Sequence, residues 1–160
     1  MFSEGIPLRR DFFFVSLHQI SRMKFLRTVL AVIVGLFIGG TVNSTLVAIS
    51  GKVIPLPAGV NPNDIQSIIS HISEYQPKHF IMPFLAHALG TFTAGFIIAV
   101  LTHKEKKVLW WIPGLLFFVG GGIAIVMIPA PLWFNALDLL VAYFPMAYFG
   151  NWLGSKLRKR

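Results

Sequence analysis

Among the polar residues inside otherwise apolar stretches, which include Ser44, Thr45 and Thr93, five have the side chains best placed to do chemistry: Asn43, His87, Thr91, Asn135 and Asp138. A histidine and a carboxylate held together away from water can share or exchange a proton, because desolvation and a close opposite charge both act strongly on ionisation. The same residue types equally serve as interhelical hydrogen-bond glue, a common use of Asn, His and Asp where helices meet in lipid. Metal binding fits least well. One His, one Asp and one Asn make a poor ligand set, and no second histidine recurs at helical spacing beside His87. Cysteine is absent, which excludes thiol nucleophiles, thiolate metal sites and disulfides. Gly120, Gly121 and Gly122 do not form a phosphate loop, since they sit in an apolar run with no Lys-Ser/Thr after them. No catalytic residue, cofactor or metal is therefore expected.

The elements that position these residues are membrane-spanning helices. Of the 160 residues 55% are hydrophobic and only 12% charged, where a soluble domain has roughly 25% charged. Four apolar runs, at about 28–49, 80–101, 108–128 and 132–153, approach or exceed the ~20 residues that a bilayer core requires. Backbone amides in lipid must be bonded within their own segment, so the runs are helices. The expected fold is an all-α, four-transmembrane-helix bundle at 24–155. A basic extension at 1–23 precedes it and a basic tail at 156–160 follows.

Charge placement sets the orientation. Twelve of the fourteen Lys and Arg fall on the side shared by the N-terminus, the 102–107 hairpin and the C-terminus; only Lys52 and Lys78 fall on the other. Both termini are thus expected on the cytoplasmic side, with the basic clusters against anionic headgroups. The net charge of +8 is accounted for by these flanks, and nucleic acid is not an expected partner. Residues 1–22 precede Met23-Lys24-Phe25-Leu26-Arg27, which reads like a start. They are expected to be a basic tail touching headgroups, or an interfacial helix using Phe12, Phe13, Phe14 and Leu17 beside Arg9 and Arg10.

The outer loop at 50–79 carries Ile65, Ile68, Ile69 and Ile72 at helical spacing. They predict a short amphipathic helix on the membrane surface or roofing the bundle, with Asn61 as its cap and Pro62 at its first position. Within the spans, Gly35 and Gly39 lead to Asn43 at four-residue spacing. Gly90, Gly95 and Gly121 offer further close-packing points. At 1.5 Å per residue Asn43, His87 and Asp138 lie ~9–11 Å below the outer surface, a candidate pocket with Thr91 and Asn135 nearby. Pro83, Pro113 and Pro145 read as kinks.

The stretch Val42–Leu46, the loop Pro55–Asp64, Ala86–Thr91 and the run from Pro131 to Tyr148 together resemble a family of small, uncharacterised four-helix bacterial membrane proteins. The resemblance spans roughly 24–155. It implies a fold and a bacterial cytoplasmic-membrane location, and no activity. The function expected is a non-enzymatic accessory or oligomeric membrane component, partnered by lipid and by another copy or a membrane complex. The alternative is a small proton-linked transporter or channel using His87 and Asp138.

Overall fold

The computed structural model describes residues 8–102 and 107–158, with side chains at Gln19, 21–102 and 109–158. Expectations for residues 1–7, His103, Lys104, Lys106, Lys159 and Arg160 lie outside the described residues, as do those for the side chains of Arg9, Arg10, Phe12, Phe13, Phe14 and Leu17. Every described element is helical. These are α1 (Leu8–Val53), α2 (Ile65–His71), α3 (Ile81–Leu101), α4 (Trp111–Met127), α5 (Leu132–Val141) and α6 (Phe144–Arg158), with short 3-10 turns at Ile72–Glu74, Pro77–Phe80 and Lys107–Trp110.

Three helical stretches are long and apolar enough to cross a membrane: Ser21–Val53, Pro77–Leu101 and Leu132–Arg158. Trp111–Met127 is a fourth, shorter apolar helix. Large apolar side chains such as Phe37, Ile33, Val126 and Leu140 stand exposed along them, as an apolar solvent allows. α1 is one unbroken helix of 46 residues, or ~69 Å. It continues upstream of the apolar run, through most of the basic extension.

α3 is the central element, with nine buried residues. α1 packs on one side of it and α6 on another, while α4 leans on α6 and α3. Small residues make these seams. Among the described side chains of α1, the buried positions are Ala31, Gly35 and Gly39, one turn apart. A Cβ on Gly39 would come within 2.5 Å of the Gly90 carbonyl oxygen, and one on Gly35 within 2.5 Å of Ile98. On the α6 side, a Cβ on Gly95 would meet the Ala147 carbonyl oxygen at 2.5 Å, and Gly150 lies against the backbone of Phe92. Without a hydrophobic drive between helices in lipid, such close backbone approach supplies the packing.

Of the three prolines inside the runs, two leave their helices unbroken. Pro83 and Pro113 fall in the first turns of α3 and α4, where amide hydrogens are unpaired in any case. Pro145 is different. It cannot bond back to the Val141 carbonyl, and the helix opens into a turn at Ala142 and Tyr143, dividing α5 from α6.

In the loop at 50–79, α2 begins later than expected. Its cap is Asp64, whose Oδ1 accepts from the Gln66 amide at 3.0 Å. Asn61 instead builds the turn before it, accepting the Asn63 amide on its own side chain at 3.0 Å. Ile65, Ile68, Ile69 and Ile72 are all half-buried.

Candidate functional site

Asp138 is the carboxylate of α5 and is almost sealed, with 3% of its side chain exposed against 21% for His87. α3 presents His87 to it. The ring Nδ1 lies 2.8 Å from Asp138 Oδ2 and 3.0 Å from Oδ1. A third group completes the cluster: the Tyr143 hydroxyl donates to Asp138 Oδ2 at 2.6 Å and lies 3.0 Å from His87 Nδ1. An ionised carboxylate accepting from both Nδ1–H and the phenol satisfies every one of these distances. The His87 and Tyr143 rings stack at 5.8 Å, and Phe118 meets Tyr143 edge-on at 5.9 Å.

The cluster lies where α5 passes into α6. Tyr143 sits in the turn between them, five residues beyond Asp138, and its phenol reaches back to the carboxylate. Gly121 of α4 makes room for it, since any Cβ there would collide with the Tyr143 hydroxyl. Gly120 and Gly122 face open space, so only the middle glycine of the three serves the site. Tyr143 was not among the residues singled out from sequence. Its signals were a buried-type phenol needing a partner and the proline two positions on.

The other candidate residues lie elsewhere. Asn43 belongs to the α1–α3 seam, its Cβ against Gly90, and its Oδ1 is buried without a partner. Asn135 donates to the Ala130 carbonyl at 3.1 Å, steadying the turn ahead of α5, and its Oδ1 is likewise buried and unpartnered. Thr91, fully buried, returns its hydroxyl to the His87 carbonyl of its own helix at 2.7 Å. Among the described residues no three His, Asp or Glu side chains gather as a metal-binding group.

Two further clusters lie at the ends of α3. Toward the outer loop, Phe80 packs on Phe134 at 4.8 Å and on Trp133 at 5.6 Å, and Tyr75 leans on Phe80 at 5.9 Å. Burial raises the Tyr75 phenol above its ordinary pKa. At the opposite end, the last carbonyls of α3 are met by two guanidinium groups. Arg27 of α1 donates to Leu101 at 2.7 Å, and Arg158 of α6 donates to Ala99 at 2.9 Å and also to Thr102. Cations there complement the negative end of the helix dipole.

Comparison of the chain with protein-family models, curated proteins and solved structures finds no match, so the function rests on the geometry of His87, Asp138 and Tyr143.

Proposed function

We propose that the chain is a four-span, multi-pass protein of the bacterial cytoplasmic membrane with both termini inside, acting as a non-enzymatic component that associates with another copy or a membrane complex. The observation carrying this reading is the closure of the only span carboxylate. Both Asp138 oxygens are engaged by His87 and Tyr143, in the manner of interhelical glue. Orientation is supported by the two arginines, which put the Arg27 end of α1 and the Arg158 end of α6 on the face where α3 terminates. With the short 3-10 turn before it, α4 reaches the lower limit of spanning length.

A reporter fused after Arg160 or inserted at Glu105 is expected to read cytoplasm, and one at Asn63 the outside; an outside signal at the C-terminus overturns the four-span arrangement. For the role of the cluster, Asp138→Asn and His87→Gln keep shape and polarity and are expected to preserve level, stability and phenotype. Asp138→Ala and His87→Leu strand a polar partner and are expected to cost roughly 1–3 kcal/mol. Loss of phenotype in well-folded isosteric variants rejects a purely structural role.

One observation favours a second reading, a proton-linked transporter or channel. His87 keeps a fifth of its side chain open while all three of its side-chain hydrogen bonds fall on Nδ1. A histidine so held is open to proton exchange at its other nitrogen.

A further inference from the structure

α5 is an unusually dependent element. Of its ten residues only Phe134 and Asp138 are buried. Phe134 and its neighbour Trp133 hold one end against Phe80, and Asp138 holds the other through His87 and Tyr143. Beyond Asp138 the connection to α6 is the turn at Ala142 and Tyr143. There the Ala142 amide still bonds to the Asp138 carbonyl at 2.9 Å and the Ala147 amide to that of Tyr143 at 2.8 Å. Pro145 has no amide hydrogen for the Val141 carbonyl, which makes this the weakest point of the helical path. At its hinge end this half-helix is tied by one carboxylate, with Leu139 packed against Ala88, Ala142 and Tyr143 beside it.

We infer that His87, Asp138 and Tyr143 form a proton-operated latch that sets the position of α5 about the Ala142–Tyr143 turn. The inference goes beyond a static tie, needs no transported solute, and rests on the proposed placement of these helices in the membrane. The step is a single protonation. A proton from water binds the lone pair of His87 Nε2, giving an imidazolium whose Nδ1–H still donates to Asp138. The cluster changes from a net charge of −1 to zero, and release reverses it. In the neutral state the imidazolium and carboxylate compensate each other. In the anionic state an uncompensated carboxylate lies in apolar surroundings, where burial is costly and hydration is favoured. α5 is the element free to move so that water reaches it.

Among the described residues, the titratable groups on the surrounding elements are bonded or directed elsewhere. α3 presents only His87, and α4 has no titratable residue. On the turn ahead of α3, Lys78 stands exposed, and the buried His79 accepts the Gln76 amide at 2.9 Å and meets the Tyr75 ring. On α6, Tyr148 turns toward Trp110, and Lys156 and Arg158 stand near its far end. α1 packs on another face of α3, with Lys52 in its last turn.

The absence of cysteine makes the test direct. Ile81→Cys and Leu132→Cys place spin labels at exposed positions opening α3 and α5. The full chain is reconstituted in vesicles of phosphatidylcholine and phosphatidylglycerol, and the inter-label distance is measured from pH 5 to pH 9. The expected result is a longer mean distance at high pH, following a one-proton curve. His87→Gln and Asp138→Asn are each expected to make the distance pH-independent, while Tyr148→Phe leaves the curve in place. A distance that does not change with pH in the otherwise unmodified protein overturns the latch, as does a shift that survives in His87→Gln. Carbonate extraction of the same vesicles separates the two failures: an extractable protein overturns the membrane placement, and an embedded protein with a constant distance overturns the latch alone.

Discussion

The seams of α3 and the corner occupied by α5 are built on opposite principles. Along the seams, side chains are absent where helices touch: Gly35, Gly39 and Gly90 on the α1 side, Gly95 and Gly150 on the α6 side. At the corner, bulky polar groups from two helices and a turn meet around one carboxylate. A glycine seam has one requirement, size, and it admits no substitute. A hydrogen-bonded corner requires donors and acceptors in the right places, and an isostere can meet that need. Substitutions should therefore separate the two regions sharply.

The largest effect is expected at the seam. Gly150→Leu drives a side chain into the Phe92 backbone, which cannot yield as a side chain would. It should cost about 3 kcal/mol or more, or abolish folded protein, because overpacking against backbone has no inexpensive relief. Gly120→Leu, facing open space, should stay within about 0.5 kcal/mol of the parent. Thermal unfolding in detergent compares the two, and equal losses would erase the distinction between seam and surface.

The corner comes next. Tyr143→Phe removes one donor to Asp138 and is expected to cost about 1–3 kcal/mol. Combined with His87→Leu, the losses should be markedly non-additive, since both residues act on the same carboxylate. Strict additivity in the double-mutant cycle would show that the phenol and imidazole do not work together.

How much of this was legible follows from the same contrast. The three long apolar helices could be read from run length, because lipid imposes a minimum on every span. His87 and Asp138 stood out because ionisable groups in lipid demand a partner. Tyr143 could not be placed by helical phase, since five residues set it about 140° from Asp138 and only the reach of its long side chain brings the hydroxyl to the carboxylate. Depth groups Asn43 with His87 and Asp138, yet depth carries no information about which side of α3 a residue faces. The unbroken run of α1 upstream of Arg27 was hidden for a related reason: once a helix leaves the apolar stretch, hydropathy no longer marks its extent. In the outer loop, Asn61 and Asp64 are both capable caps, and the turn through Pro62 decided between them.

Smaller effects should come from the ends. Arg27→Ala removes one guanidinium from the Leu101 carbonyl and is expected to cost about 1 kcal/mol, with Arg27→Lys recovering part of it. Failure of lysine to recover any stability would assign the contribution to guanidinium geometry rather than charge. Ile68→Asp in the half-buried outer helix should cost about 1 kcal/mol, below the 1.5–3 kcal/mol of a fully buried aliphatic side chain. A loss matching Gly150→Leu would mean that α2 is a structural keystone.

The guanidinium contacts at the end of α3 bear on the order in which the protein is made. Arg158 lies 59 residues beyond Ala99 and 56 beyond Thr102, the carbonyls it meets. During synthesis, the last turn of α3 therefore forms with part of its capping still untranslated. α3 can be completed only after two further apolar segments have left the ribosome and the end of α6 has returned to it. Until then Arg27, already made, can serve the Leu101 carbonyl while those of Ala99 and Thr102 wait, and Arg158 acts as the final fastening of the assembly.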